Sequence, residues 1–130
     1  MAKARVVAFI LMVALLASAC GAGAPSYKGV VKVGVAAPLS GDLADGGDSV
    51  EKGARLQAER LNAQGGVLGY RIDVVGMDDE ADDDVAAEVA SALVGQGVKL
   101  VVGHYNSGQS IAASPIYARA RVIMITPTSS

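Results

Sequence analysis

Apolar residues along this chain recur with two periods. Short runs rich in Val, Ile and Ala cover Val30 to Ala37, Arg71 to Met77, Lys99 to Gly103 and Val122 to Thr126, each bounded by Gly, Asp or Pro, and are expected to be strands. Between them, Asp48 to Ala63, Asp82 to Gly95 and Ser107 to Ala120 carry the helical period. In the first of these, Val50, Ala54, Ala58 and Leu61 form an apolar stripe opposite Glu51, Lys52, Arg55 and Glu59. Val85, Val89 and Leu93 form the stripe of the second. Asp48 and Glu51 stand in capping-box spacing at the predicted start of the first helix, behind a small-residue loop from Pro38 to Gly47, and Gly65-Gly66 supply a left-handed stop. Strand and helix alternate with short connections. That order predicts an α/β fold: a doubly wound parallel sheet with right-handed crossovers.

The N-terminus follows a different logic. Lys3 and Arg5 precede eleven apolar residues, Val6 to Leu16, that end at Ala17-Ser-Ala-Cys20. A span of the hydrocarbon core needs about 20 apolar residues, so residues 1–19 are expected to be an export signal. Residues 20–29 are expected to be a flexible tether that opens on Cys20, the only cysteine, which leaves no intrachain disulfide. This arrangement resembles that of a bacterial lipoprotein, whose cysteine carries the lipid. It departs from that pattern in having Ala17 where leucine is usual, and Ala17-Ser-Ala19 equally suits cleavage by an ordinary signal peptidase. Without Lys3 and Arg5, nine basic residues stand against thirteen acidic ones, which argues against a nucleic-acid partner. The remainder, about 110 residues, is enough for one small domain.

In open α/β sheets ligands sit outside the carboxyl ends of the strands. Leu39 to Gly47, His104 to Ser110 and Pro127 to Ser130 are expected there. Ser107 opens a helix, so it serves either as a simple N-cap or, with the free N–H groups behind it, as a receiver for a carboxylate. Asp78, Asp79, Glu80, Asp82, Asp83 and Asp84 lack the spacing of a calcium loop and are expected to be a solvated helix start; no metal or cofactor is expected. His104 has no metal-binding companion and is expected to hydrogen-bond its neighbours at a strand end. Tyr105 is placed to line the cleft, whereas Tyr70 and Tyr117 are expected to pack. The first loop, Gly34-Val-Ala-Ala-Pro-Leu-Ser-Gly41, is neither a dinucleotide nor a phosphate loop, and no G-x-S-x-G elbow is present, so no enzymatic activity is expected.

From Val30 to Ser130 the order and wording of these motifs (Pro38-Leu-Ser-Gly41, Asn62-Ala-Gln-Gly-Gly66, Asp78-Asp79, Val102-Gly-His-Tyr-Asn-Ser107) resemble the periplasmic branched-chain amino acid binding proteins, the type I solute-binding components of ABC importers. The resemblance implies that residues 30–130 are the N-terminal lobe of a two-lobed protein roughly three times as long, cut short after the fourth strand. It implies an exported protein that holds an amino acid reversibly and docks on a membrane permease, with Ser107, the main chain of Thr128 and the hydroxyl and N–H of Ser130 on the ligand's charged groups. Two alternatives stay open: the sensing domain of a membrane receptor, and an amide or urea binder of the same family. Gly46 stands where leucine binders often carry an aromatic residue, so the ligand's apolar wall is absent or supplied elsewhere. Ala81 and Asn106 replace a disulfide that some members have, which predicts looser loops. With half of each contact set on the missing lobe, this chain alone is expected to bind branched-chain amino acids weakly or not at all.

Overall fold

A computed structural model describes residues 25–129. The expected export signal and Cys20, and Ser130 at the other end, lie outside the described residues. Four strands, β1 (Gly29–Ala37), β2 (Tyr70–Asp78), β3 (Leu100–Gly103) and β4 (Ile123–Ile125), alternate with helices α1 (Ala44–Ala63), α2 (Asp83–Gly95) and α3 (Ser107–Ala120). They form one parallel sheet in the order β2-β1-β3-β4. The chain steps one way from β1 to β2 and the other way from β2 to β3. With right-handed crossovers this reversal puts α1 on one face and α2 and α3 on the other. Two glycines mark the faces: a Cβ on Gly34 would meet Leu93 of α2, and one on Gly76, paired one residue out of phase, would meet Glu51 of α1. The switch in direction opens a crevice between the carboxyl ends of β1 and β3.

The core lies between the sheet and the α2–α3 layer, where Ala36, Val89, Ala90, Leu93, Val98, Val101, Ala113 and Tyr117 are buried. On the α1 face, α1 covers part of the sheet. Val31, Val33, Ile72 and Leu100 line an open apolar groove with Val67, Leu68 and Tyr70, and Ile123 and Ile125 are exposed. Tyr70, expected to pack, thus stands at the groove's margin, 41% exposed. Side chains of α1 occupy orphan backbone groups of the edge strand β2. The Asn62 amide donates to the Ile72 carbonyl and accepts from its N–H, both at 2.8 Å, and Arg55 donates to the Val74 carbonyl at 3.1 Å. The α3 helix runs on through Pro115; the Ile111 carbonyl, which the proline N cannot reach, accepts from Ser114 Oγ at 3.1 Å.

The first helix begins earlier than its sequence suggests. A 3-10 turn, Gly41–Leu43, runs directly into α1 at Ala44, and no side chain caps it. Asp48 and Glu51 are therefore one and two turns inside the helix, bonded to Lys52 and Arg55 rather than forming a capping box. Gly46 and Gly47 look like loop residues but are helical because of what presses on them. Gly47 lies against the Pro38 carbonyl, so close that a Cβ would be 1.9 Å from its oxygen.

Candidate functional site

The three segments expected at the sheet's rim come together, and adjacent carboxylates at the end of β2 organise them. Strand alternation sends Asp78 and Asp79 to opposite faces. Asp78 turns to the loop after β1, where its Oδ1 accepts from Leu39 N at 2.7 Å and from Glu80 N at 2.9 Å. Asp79 turns inward, fully buried, with Oδ2 2.6 Å from His104 Nδ1 and Oδ1 accepting from Ala81 N at 3.1 Å. Only the later part of the acidic run is the solvated helix start expected: Asp82 caps α2, accepting from Asp84 N at 2.8 Å and Val85 N at 3.0 Å. The reading of all six carboxylates as solvated is corrected for Asp78 and Asp79, which follow strand alternation.

Burial alone would raise the Asp78 carboxyl, but the Ser40 hydroxyl and the N–H groups of Glu80, Leu39 and Ser40 outweigh it and hold the group below the ordinary carboxylate range. A carboxyl depressed in the folded chain adds stability above its unfolded pKa, about 3.9, and that increment is lost as pH falls through the folded value. Asp78→Asn is therefore expected to destabilise the chain at about pH 6 and to converge on the parent as the pH drops below about 4. Urea midpoints across that range check it; a gap that stays constant with pH contradicts it.

His104 bonds to its surroundings as expected for a strand-end residue. Its carbonyl lies 3.2 Å from Ser129 Oγ and 3.3 Å from Ser110 Oγ; those hydroxyls lie 2.7 Å apart and Ser110 Oγ is also 2.8 Å from the Asn106 carbonyl, so two hydroxyl hydrogens are shared among these acceptors. Thr128 Oγ1 donates to the Tyr105 carbonyl. The loop after β4 is thus fastened to the loop after β3. Gln109 fastens that region to the loop after β2, its Nε2 donating to the Ala81 carbonyl at 2.9 Å and to Asp83 Oδ1 at 2.6 Å. Where a disulfide joins these two segments in some members, Gln109 and the Asp79–His104 contact join them here. Tyr105 packs its phenol on Gly46, where a Cβ would be 2.7 Å from the ring's Cζ and hydroxyl. An aromatic ring from the loop after β3 therefore occupies the space beside the first loop in which position 46 has no side chain.

Ser107 is the first residue of α3, and Asn106 is the N-cap, without a side-chain capping bond. Ser107, Ser110 and Ser129 line one open groove of about 300 Å³ between α3 and β4, together with Ile111, Ser114, Met124 and Thr126. Thr128 lies beside it and Ser130 outside the described residues, so the groove holds Ser107 and the immediate neighbour of both. Ser110 and Ser129 were not singled out from sequence, although a serine one turn into a helix lies beside the first. Hydroxyls, amide N–H groups at a helix start and one apolar edge are suited to an anion attached to a small apolar body.

Residues 30–130 match the family model described as periplasmic binding protein. The chain is similar to the Leu/Ile/Val-binding protein homolog 2 of Brucella abortus, 44% identical over 105 residues that cover 81% of this chain and 28% of that protein. The fold is similar to the branched-chain amino acid transporter substrate binding protein LivJ of Streptococcus pneumoniae, solved in complex with isoleucine, at a TM-score of 0.74 and 37% identity, covering 78% of this chain and 29% of that one. It is also similar to a solute binding protein of an ABC transporter from Rhodopseudomonas palustris BisB5, solved in complex with 3,4-dihydroxy benzoic acid, at a TM-score of 0.71 and 25% identity over 78% of this chain and 28% of the other. The chain spans less than a third of the length of these relatives.

Proposed function

Since this chain belongs to the periplasmic binding protein family, we propose that it supplies one lobe of the exported solute-binding component of an ABC importer, taking a branched-chain amino acid by its charged end. The supporting observation is the cluster of Ser107, Ser110 and Ser129 around the start of α3, at the sheet's carboxyl edge. In this reading the first N–H groups of α3 and the Ser107 hydroxyl receive the carboxylate, Thr128 and Ser130 take the ammonium and remaining carboxylate contacts, and the Tyr105 ring faces the side chain in place of a residue at 46. Closure of a second lobe would complete the grip and present the closed form to a permease. Residues 1–19 direct export, and Cys20 is the point of lipid attachment if the leader is cut before it. The task is reversible capture rather than catalysis.

Hydrogen bonds to a charged group contribute about 1.5–3 kcal/mol each, and a millimolar Kd corresponds to about 4 kcal/mol. Two or three such bonds gross about 3–9 kcal/mol, and association costs about 4 kcal/mol or more in lost translational and rotational freedom, which leaves one lobe alone with millimolar binding at best. Isoleucine titrated into the 130-residue chain is expected to bind at about that level, and Ser107→Ala to weaken it about tenfold. Isoleucine methyl ester, whose carboxylate charge is masked, is expected not to bind. Ester binding equal to that of the free acid would sink the carboxylate reading. The relative bound to 3,4-dihydroxy benzoic acid favours one second reading, an aromatic carboxylate. In that case the benzoate would outcompete isoleucine at the same serines.

A further inference from the structure

The chain has one histidine, and it is wholly buried. Its ring stands between two other buried groups: Nδ1 is 2.6 Å from Asp79 Oδ2, and Nε2 is 3.3 Å from Tyr117 Oη. Asp79 is fixed in turn by the Ala81 N–H, and Tyr117, from α3, is 1% exposed.

Counting hydrogens decides how the three are protonated. His104 Nε2 is the hydrogen-bonding partner of the Tyr117 hydroxyl among the described residues. If Nε2 carried a hydrogen, in the other tautomer or in an imidazolium, the phenol oxygen would have to accept it. The phenol's own O–H would then be buried without an acceptor, a cost of about 1–3 kcal/mol. With Nε2 bare, every group is satisfied: Tyr117 donates to Nε2, Nδ1–H donates to Asp79, and the Asp79 carboxylate accepts from both His104 and Ala81. Burial first, and then the Asp79 charge, push the Tyr117 phenol well above its ordinary pKa, so it keeps the proton this arrangement needs. The carbonyl of the same histidine lies within hydrogen-bond distance of both Ser110 and Ser129, alongside the Asn106 carbonyl on Ser110.

We propose that Asp79 is the positioning residue of the candidate site: it holds His104 as the neutral Nδ1–H imidazole, with Tyr117 donating to Nε2, and so fixes the carbonyl that gathers Ser110 and Ser129 beside the start of α3. The claim that this arrangement serves ligand capture rests on the solute-binding reading; the tautomer does not. Sequence reasoning missed the network because its members stand 25 and 13 residues apart along the chain.

Because no second imidazole exists, nitrogen NMR of the labelled 130-residue chain reads His104 without assignment. At neutral pH the expected spectrum has a protonated, pyrrole-like Nδ1 and a bare, pyridine-like Nε2. The reverse pattern, averaged tautomers or an imidazolium overturns the proposal with no variant needed. Asp79→Asn is then expected to lose the fixed pattern and to raise amide exchange about tenfold at Ser110, whose N–H bonds the Asn106 carbonyl at 3.1 Å, the effect of one net hydrogen bond. A variant that keeps both the parental imidazole spectrum and slow exchange also overturns it. Isoleucine methyl ester binding as well as the free acid, with the tautomer as stated, would count against the solute-binding reading alone.

Discussion

Gly47→Ala is expected to lower the melting temperature by about 15 °C or more and to disorder the loop after β1. The added Cβ would lie 1.9 Å from the Pro38 carbonyl oxygen and 2.7 Å from its carbon, both backbone atoms of a buried residue. Retreat of the helix is blocked, because Asn62 and Arg55 fasten α1 to the edge strand two to four turns further on. Overpacking costs about 1–3 kcal/mol and more where backbone must move. In a domain of about 100 residues each kcal/mol shifts the melting temperature by about 4–8 °C. Gly53→Ala in the same helix is the control: nothing lies within 4 Å of its Cβ position, and the helix gains about 0.5–1 kcal/mol from alanine. Thermal melts of the two variants are thus expected to move in opposite directions. A parental melting temperature for Gly47→Ala would contradict the close packing of α1 on Pro38.

Leu93→Ala is expected to remove about 2–5 kcal/mol, because Leu93 is fully buried between α2 and the sheet. Its loss should also change the sign of a neighbouring substitution. A Cβ on Gly34 would stand 3.1 and 3.2 Å from the Leu93 methyls and 3.2 Å from Val101 Cγ2, so Gly34→Ala alone is expected to crowd the core. With Leu93 cut back, the same methyl enters the new cavity. The double variant is therefore expected to be more stable than the sum of the single effects by at least about 0.5 kcal/mol. Strict additivity in urea denaturation would show that Gly34 and Leu93 do not face each other.

Much of this fold was legible because its signals are local. The apolar stripes of α1 and α2, the glycine stop after Ala63 and the short Val- and Ile-rich runs each name an element without knowledge of its partners. All four strands fall where their composition puts them, within a residue or so at each end. The start of α1 was not legible, since Gly46 and Gly47 read as loop until the Pro38 carbonyl and the Tyr105 ring are seen against them. The same limit applies to the site. Ser107 could be placed at a helix start from spacing, but the acidic run after β2 reads as one solvated cluster. A strand that alternates through its last residues was the signal available: it turns Asp78 outward to Leu39 and Asp79 inward to His104. The roles of Ser110, Ser129 and Tyr117 arise from contacts between segments distant in sequence, which periodicity cannot supply.

The apolar groove on the α1 face, lined by Val31, Val33, Val67, Leu68, Tyr70, Ile72 and Leu100, is the physical rival to the rim as a place for an amino acid's side chain. Its lining offers a single side-chain hydroxyl, that of Tyr70, where the rim brings several serine hydroxyls to a helix start. Amide-resolved NMR of the 130-residue chain titrated with isoleucine separates the two. The account predicts shifts that saturate in the millimolar range and cluster at residues 105–110 and 128–130, and that need about tenfold more ligand in Ser107→Ala. Shifts centred on Val31, Leu68 and Leu100, or none at residues 105–110 at saturating ligand, would contradict it.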